Sequence, residues 1–393
     1  MKCRICGESD LSPVLSLGNV PLSNAFLKER NGHEERFPLD VVFCPGCSLV
    51  QITETVPPEK LFSHYLYFSS ISQTMVQHAK ELADELIDQR KLTEKSMVVE
   101  LASNDGYLLQ HFQKRGIPVL GIDPAENVCQ VANARGIPTK CAFFGEKLAD
   151  EIEPADVVLG LNVLGHVADI TGFVRGVRKI LKPDGVAVFE VPYVRDMVDE
   201  VAFDTIYHEH LCYFSLSSLI NLCDGSNLQL FHAERQDIHG GSLRIYVQHP
   251  REHFNRRLNR MVKIEKALGV DRLEYYRYFA NRVKDLGVLL RTLLKGLREQ
   301  GQQVVGYGAA AKGTMLLNYI GEPSQALNYV VDATPAKQGL LIPGVHIPIV
   351  PPERIGDPDY ILMLAWNFKS EIERKHPEFK GRWILPVPAP RVE

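Results

Sequence analysis

The sequence predicts an α/β protein with a doubly wound parallel sheet at its centre, a small N-terminal unit and a second, Rossmann-like α/β unit at its C-terminal end. Three observations support this. Four strand-like runs alternate with helical stretches, namely SMVVELA, IPVLGID, ADVVLGLNV and GVAVFEV. Two CxxC pairs flank a loop-rich stretch near the start of the chain. A further strand, glycine turn and helix begin with QQVVGYGAAAKG at residue 302.

The bulk properties are those of a globular enzyme. At 393 residues the chain is long enough for several domains, and its composition is 45% apolar and 23% charged. The net charge of −4 argues against nucleic acid or an anionic membrane as the main partner. MKCRICGESD has no apolar run typical of a secretory signal, and no stretch approaches the roughly 18 apolar residues of a membrane span. We expect a cytoplasmic protein and, since nothing indicates an obligate oligomer, a monomer.

Changes in pattern along the chain predict four parts. Residues 1–70 are punctuated by Pro and Gly and form the small unit, which is followed by a helical pattern from Ser72 to about Gln89. Residues 71–250 contain the strand and helix alternation. A charged amphipathic stretch, 251–299, is expected to be a helical connector, and residues 300–393 form the second α/β unit.

The two cysteine pairs predict a metal site. Cys3 and Cys6 form one CxxC pair and Cys44 and Cys47 the other, and four thiolates suit a tetrahedral Zn²⁺. Because four protein ligands leave no open position, this zinc would be structural. The 37 residues between the pairs exceed the common finger spacings. Buried free thiols or a redox pair are the alternatives.

The first strand, turn and helix predict a nucleotide-type pocket. Polar residues gather where neighbouring strands end, and the carboxyl edge of a parallel sheet is where such ligands bind. Asp123 ends the second strand, where a carboxylate can accept hydrogen bonds from both ribose hydroxyls. The GxGxxG turn of nicotinamide sites is missing. The candidates are Glu100, Ser103, Asp105, Gly106, Asp123 and Asn162.

The second α/β unit predicts another such pocket. GYGAAAKG leads into a helix with Lys312 at its start, where backbone N–H groups and a lysine favour a diphosphate. Asp332 follows at the end of the next strand. In HGGSLR, Gly240 permits a close backbone approach and Arg244 faces either a phosphate or a surface carboxylate. The alternative is a degenerate Rossmann-like unit that serves only packing.

Several motifs give the chain a family resemblance. ELASNDG followed by GIDP resembles the nucleotide turn of class I S-adenosylmethionine methyltransferases, except that Ala102 stands where that superfamily commonly has Gly. With YHEHLCYFS (207–215), HGGSLR (239–244), GYGAAAKG (306–313) and AWN (365–367), the whole chain resembles the sugar C-methyltransferases that act on nucleotide-linked 4-keto deoxysugars. That family joins a four-cysteine zinc domain, a cofactor domain and a C-terminal α/β domain that anchors the sugar nucleotide.

The resemblance implies S-adenosylmethionine as cofactor and a nucleotide-diphospho-sugar as substrate. It adds Tyr65, Tyr67 and residues from Ser69 to Ser72 to the border of the cofactor pocket, and we include Ala102, Pro124 and Asn127 there. The residues expected to border the substrate are Tyr207, His208, Gly240, Arg244, Tyr307, Lys312, Asp332, Trp366 and Asn367.

The segment from Tyr207 to His210 is the predicted reaction centre. A sugar carbon beside a ketone becomes nucleophilic only by losing its proton, which requires a general base and a donor to the enolate oxygen. An imidazole suits the first task and the Tyr207 phenol the second. The resemblance places the base at His210, with Glu209 beside the sugar and His166 on a neighbouring loop. We interpret His208 as a structural residue, and a metal site at His208 and His210 lacks further ligands.

Three other functions remain open. An NAD(P)-dependent oxidoreductase acting on a sugar nucleotide would use GYGAAAKG but leaves the pattern of Glu100 and Asp123 unexplained. A zinc-ribbon adaptor with a degenerate methyltransferase fold leaves the cluster at 207–210 unexplained. A methyltransferase with another small acceptor would use His210 on a different proton.

Overall fold

The computed structural model describes residues 1–30, 32, 34–62, 68–238, 240–252 and 255–393. The strands of these residues are β1 (Ser12–Pro21), β2 (Arg36–Phe43), β3 (Val50–Ile52), β4 (Val98–Leu101), β5 (Val119–Asp123), β6 (Thr139–Cys141), β7 (Ala155–Leu161), β8 (Leu181–Pro192), β9 (Cys212–Tyr213), β10 (Gln229–Gln236), β11 (Ser242–Gln248), β12 (Val304–Tyr307), β13 (Leu327–Val331), β14 (Ile349–Val350), β15 (Tyr360–Met363), β16 (Arg382–Leu385) and β17 (Arg391–Val392). The helices are α1 (Pro58–Phe62), α2 (Gln73–Arg90), α3 (Leu109–Gln113), α4 (Glu126–Ala134), α5 (Glu146–Ala149), α6 (Ile170–Ile180), α7 (Val194–Asp199), α8 (Leu216–Gly225), α9 (Arg256–Leu268), α10 (Leu273–Glu299), α11 (Ala311–Ile320) and α12 (Lys369–Lys375).

The central sheet has seven strands in the order β10-β11-β8-β7-β4-β5-β6. β11 runs antiparallel to both of its neighbours, while β4, β5, β6, β7 and β8 pair in parallel. The four predicted strand runs are β4, β5, β7 and β8, and every residue of β4 is buried, as expected for a sheet covered on both faces. The chain moves to opposite sides of β4 along this order, so the carboxyl end of β4 is the topological switch point where ligands bind.

Helix α2 precedes the central sheet and confirms the predicted helical pattern. It starts after Ser72, whose hydroxyl oxygen accepts a hydrogen bond from the Met75 backbone N–H at 3.3 Å. Leu82 and Leu86 lie on its buried face.

The C-terminal sheet has the order β14-β13-β12-β15-β16-β17. Its first five strands in this order are parallel and only β17 is antiparallel, so the predicted Rossmann-like unit is confirmed. Helices α9 and α10 lie between the two parallel sheets in the sequence, where a helical stretch was predicted. Buried Glu265 of α9 accepts the Leu216 N–H at 2.7 Å and thereby ties α9 to the start of α8.

The N-terminal sheet is antiparallel, with the order β1-β2-β3-β9. Its fourth strand, Cys212–Tyr213, comes from the chain beyond β8, so this sheet is not confined to the first seventy residues. The reason is that β3 would otherwise present an unpaired edge. Among the helices of the described ranges, none is both long and apolar enough to cross a bilayer.

Candidate active site

The four cysteines of the CxxC pairs form one cluster. Their sulfur atoms all lie within 4.8 Å of one another, with Cys3 Sγ 3.4 Å from Cys47 Sγ and Cys6 Sγ 3.5 Å from Cys44 Sγ. An ion about 2.3 Å from each sulfur in a tetrahedral site separates the sulfurs by about 3.8 Å. The donor set and its spacing therefore fit a structural zinc ion.

The turn after β4 is built on a left-handed backbone. Ala102, Asn104 and Gly106 have φ of +57°, +50° and +79°. This explains why related turns carry Gly at the Ala102 position, because left-handed backbone costs an L residue roughly 1–2 kcal/mol and glycine almost nothing. Gly106 also lies so close to the Ile137 side chain that a Cβ would collide with it.

Asp123, at the end of β5, is oriented by two backbone N–H groups. Its Oδ2 accepts from Asn104 at 2.9 Å and its Oδ1 from Ala125 at 2.9 Å. Burial raises the pKa of Asp123, and these two hydrogen bonds oppose that rise. Each oxygen keeps a lone pair for a further donor, as a ribose-binding carboxylate requires.

Buried polar atoms without partners lie beside this turn. Within the described ranges, Glu100 Oε1 and Oε2, Ser103 Oγ and Asp105 Oδ1 are buried and accept or donate no hydrogen bond. Burial, followed by the charges of Asp123 and Asp105, raises the pKa of Glu100 well above its usual range. Such groups are costly unless a ligand satisfies them, and a ligand with a cationic amino group fits this acidic pocket.

The segment Ser69–Ile71 contacts the turn after β4. The Ser69 N–H donates to Asn104 Oδ1 at 2.9 Å, and the Ser70 hydroxyl donates to Asp105 Oδ2. Arg135, which was not among the residues predicted from the sequence, donates to the same Asp105 oxygen at 3.1 Å. Tyr65 and Tyr67 lie outside the described residues.

The other predicted cofactor residues lie at the same sheet edge. Pro124 directly follows β5 and Asn127 is in the first turn of α4. Asn162 follows β7 with a φ of +56°, and its N–H donates to the Glu190 carbonyl oxygen at 2.8 Å. Their contact with the cofactor stays a prediction.

The predicted reaction centre is a cluster of rings. The Tyr207 and His210 ring centres are 4.0 Å apart, and those of His166 and His210 are 4.9 Å apart. His166 and His210 are far apart in sequence, and a backbone hydrogen bond joins their segments. In this bond the Leu211 N–H donates to the Gly165 carbonyl oxygen at 2.7 Å. Burial lowers the pKa of His166 to about 4, so its ring is neutral at physiological pH.

The side chains of His208 and Glu209 face the N-terminal unit. His208 Nε2 lies 3.1 Å from the Pro38 carbonyl oxygen, which agrees with its interpretation as a structural residue rather than with substrate contact. Glu209 Oε1 accepts a hydrogen bond from Asn24 Nδ2 at 2.6 Å. Burial raises the pKa of Glu209 to about 7. No sequence pattern predicted a role for Asn24.

The second nucleotide-type turn repeats the hydrogen bonds of the first. Asp332 Oδ2 accepts the Ala309 N–H at 2.7 Å, and Asp332 Oδ1 accepts the N–H of Thr334, two residues further on, at 2.8 Å. Asp123 likewise accepts one N–H from the turn after the neighbouring strand and one from the residue two positions further on. Lys337, which the sequence did not single out, lies 4.0 Å from Asp332 Oδ2 and donates to the Ala309 carbonyl oxygen at 2.9 Å.

Lys312 and Trp366 meet the central domain. The Lys312 ammonium lies 4.6 Å from the Trp366 ring centre, and Trp366 Nε1 donates to buried Asp204 Oδ2 at 2.7 Å. Burial lowers the pKa of Lys312, and the charge of Asp204 opposes this. Asn367 is half-buried beside Trp366. The predicted contact of Lys312 with a diphosphate stays a prediction.

The structure assigns different partners to three predicted substrate residues. Arg244 is buried and its Nε donates to buried Glu190 Oε1 at 2.7 Å, so we do not retain it as a phosphate contact. Gly240, with a φ of +89°, allows the approach of the Trp366 ring, which a Cβ would meet at 3.1 Å. The Tyr307 hydroxyl lies 2.8 Å from His376 Nε2 at the end of β12.

Three family models match the chain in succession. They are described as "Putative zinc binding domain" for residues 3–62, "Methyltransferase domain" for 75–233 and "C-methyltransferase C-terminal domain" for 237–388. The C-methyltransferase NovU of Streptomyces niveus is 38% identical over 404 residues, covering 100% of this chain and 96% of that protein. A ubiquinone biosynthesis O-methyltransferase of Bartonella bacilliformis is 31% identical over 93 residues, or 22% of this chain and 38% of that protein.

Solved structures resemble less than half of the chain, and only loosely. Magnesium protoporphyrin IX methyltransferase from Synechocystis with bound S-adenosylmethionine has 12% identity and a TM-score of 0.36, covering 44% of this chain and 79% of that one. An S-adenosylmethionine-dependent methyltransferase from Clostridium acetobutylicum has 10% identity and a TM-score of 0.37, covering 45% and 92%. At these scores neither structure adds to what the sheet order and the family models establish.

The sheet order, the cofactor turn and the family models together define an S-adenosylmethionine-dependent methyltransferase of the class I fold. Its four-cysteine cluster is a zinc site. Since a full-length relative and the C-terminal model agree, the chain belongs to the C-methyltransferase family, and it is an enzyme that methylates carbon.

Proposed function

We propose that this enzyme transfers the methyl group to a carbon beside the keto group of a nucleotide-diphospho-4-keto-deoxysugar, in deoxysugar biosynthesis. The observation that supports this best is the setting of His210. Its Nδ1 lies 2.8 Å from the Thr205 carbonyl oxygen. Because a carbonyl oxygen only accepts, Nδ1 carries the proton and Nε2 carries the basic lone pair of the neutral ring. An oriented imidazole is the base that proton abstraction beside a ketone needs.

The neighbours of His210 suit the rest of this step. His166 is neutral because burial lowers its pKa to about 4, so it does not repel the imidazolium that forms when His210 takes the proton. The Tyr207 ring centre is 4.0 Å from the His210 ring centre, so with His210 as the base its phenol would lie near the reacting atoms. We assign this phenol as the donor that stabilises the enolate oxygen. Either carbon beside the ketone, C3 or C5, satisfies this chemistry.

The two nucleotide-type turns would hold the two reactants. S-adenosylmethionine, when bound, supplies an electrophilic sulfonium methyl group. Glu100 and Asp123 are the residues we assign to its amino acid and ribose groups. The matching hydrogen bonds of Asp332 support a second nucleoside pocket, which we assign to the nucleotide of the acceptor. Holding both reactants in one cleft would supply much of the rate, as in other bimolecular transfers.

The test has two parts. Nucleotide-4-keto sugars are incubated with S-adenosylmethionine, and mass spectrometry looks for one added methyl group. In deuterated water without methyl donor, the wild-type enzyme should exchange the proton beside the ketone and His210→Asn should not, while both bind S-adenosylhomocysteine equally. Normal turnover of His210→Asn would remove His210 as the base. Methylation of a small ketone but of no sugar nucleotide would replace the proposed acceptor.

A further inference from the structure

Residues 208–213 lie in sequence between β8 and β10 of the central sheet, but they contact the zinc domain. His208 contacts Pro38 of β2, and Glu209 contacts Asn24 in the loop after β1. Cys212 and Tyr213 then pair with β3 as β9, the fourth strand of the N-terminal sheet. The predicted catalytic segment, Tyr207 to His210, therefore contacts the zinc domain and continues through Leu211 into an edge strand of its sheet.

Leu211, directly after His210, is fixed through both of its backbone groups. Its carbonyl oxygen accepts the Ile52 N–H of β3 at 3.0 Å, and its N–H donates to the Gly165 carbonyl oxygen at 2.7 Å. Gly165 lies beside His166. Leu211 thus links three segments through hydrogen bonds and chain connectivity, namely those of His210, His166 and Ile52, the last residue of β3.

Arg4 fixes β3 from within the first zinc-binding pair. Its backbone N–H donates to Gln51 Oε1 at 3.0 Å, and its Nη1 donates to the Ile52 carbonyl oxygen at 2.7 Å. A third bond, from Nη2 to Thr55 Oγ1, is 2.7 Å long. Gln51 is fully buried, and its Nε2 returns to the Lys2 carbonyl oxygen at 3.3 Å. The Ile52 carbonyl oxygen thus accepts a hydrogen bond from Arg4, and the Ile52 N–H donates one to Leu211.

We propose that Arg4 is a positioning residue for the reaction centre, so that the zinc domain sets the place of His210 as well as its own fold. The path runs from Arg4 to Ile52, from Ile52 to Leu211, and along the chain to His210. This inference rests on the proposed function in taking His210 as the base. Arg4 touches neither reactant, so its effect is on the geometry of the base and not on cofactor binding.

The expected loss follows from geometry. A misplacement of about 1 Å at a reacting group can reduce the rate by about a hundredfold. Arg4→Ala removes the guanidinium bonds but leaves the β3–β9 pairing and the Leu211 to Gly165 bond, so we expect a smaller loss, about tenfold in kcat. Binding of S-adenosylhomocysteine should be unchanged, because the turn after β4 makes none of these contacts.

The experiment compares Arg4→Ala with Arg30→Ala, which removes an exposed arginine of the same domain. Amide hydrogen exchange of the peptide covering 207–213 should rise about tenfold in Arg4→Ala only. The ¹⁵N signal of the protonated Nδ1 of His210, identified by its loss in His210→Asn, should weaken or shift. Zinc content, the affinity for S-adenosylhomocysteine, and kcat with thymidine-diphospho-4-keto-6-deoxyglucose complete the set.

The outcomes separate the two proposals. Faster exchange at 207–213 with a perturbed His210 signal supports the positioning role, even if the probe sugar is not the acceptor. Exchange and signal equal to those of Arg30→Ala, or faster exchange with an unchanged His210 signal, would overturn it. If Arg4→Ala loses zinc, Thr55→Val decides by the same measurements, because it removes an acceptor of the Arg4 guanidinium without changing the zinc-binding pairs. Activity of His210→Asn would instead refute the base.

Discussion

Replacing Asp123 by Asn tests the cofactor pocket most directly. Both carboxylate oxygens of Asp123 already accept one backbone N–H each, at 2.9 Å, so the side chain cannot rotate away from its site. In our assignment the remaining lone pairs receive the two ribose hydroxyls of the cofactor. The substituted side chain keeps one acceptor oxygen and turns an NH₂ group toward the second hydroxyl and toward one backbone N–H.

The magnitude follows from these bonds. A hydrogen bond to a charged group contributes about 1.5–3 kcal/mol, and one such bond is lost while the other becomes neutral. At about 1.4 kcal/mol per factor of ten, the Kd of S-adenosylhomocysteine should rise roughly 10- to 150-fold. The mispaired backbone N–H also costs stability, by about 1–3 kcal/mol.

The chain offers a matched control. Asp332 accepts two backbone N–H groups in the same pattern, at 2.7 and 2.8 Å, so Asp332→Asn carries a similar folding cost. Titration calorimetry with S-adenosylhomocysteine should find weak binding by Asp123→Asn and normal binding by Asp332→Asn. An unchanged Kd in the first variant, or an equal loss in both, would refute the assignment of Asp123.

Three further predictions concern strain, pH and metal. Ala102→Gly relieves the strain of a left-handed residue, whereas the control Ala125→Gly replaces a residue with an ordinary φ of −86°. In thermal unfolding, the free energy of unfolding of Ala102→Gly should exceed that of Ala125→Gly by about 1–2 kcal/mol. Burial lowers the pKa of His166 to about 4, whereas the same side chain in the unfolded chain has a pKa of about 6.5. As the pH falls from about 6.5 to 4, the unfolded chain is therefore protonated at His166 while the folded protein is not, and the free energy of unfolding should fall by roughly 3 kcal/mol. The variant His166→Gln should not show this loss. Cys6→Ser should reduce zinc content measured by atomic emission, and Cys141→Ser, also an exposed cysteine, should not.

The fold was predictable because its signals are local. Strands such as β4 and β7 are short, continuous apolar runs separated by helices, and the order of these elements restricts the chain to a parallel sheet. The antiparallel hairpin of β10 and β11 was not predicted, since its alternation is interrupted by polar residues such as Glu234 and Arg244. The predicted end of the N-terminal unit at residue 70 missed β9, because two residues carry no strand signal of their own.

The candidate site was predicted in part for the same reason. Glu100 is the penultimate residue of β4 and Asp123 ends β5, and the ends of neighbouring parallel strands meet at one edge whatever the side-chain packing. Arg244 was predicted to face a phosphate or a surface carboxylate, but it lies inside β11 opposite the buried Glu190, and a buried charge needs its partner. Asn24 and Arg135 act across sequence distances that no local pattern encodes.

The sequence by itself determined the parallel strands of the central sheet, the two CxxC pairs and the turn after β4, since each of these depends on residues close together in the chain. Only the tertiary structure decided how the turn after β4 tolerates Ala102, which ring nitrogen of His210 carries the proton, and which domain positions His210. The left-handed Ala102 is held because its N–H donates to the Ile122 carbonyl oxygen at 2.7 Å across the sheet. The tautomer of His210 depends on the Thr205 carbonyl, and its place depends on β3, which is more than 150 residues away in sequence. Such hydrogen bonds form only once the three sheets have packed.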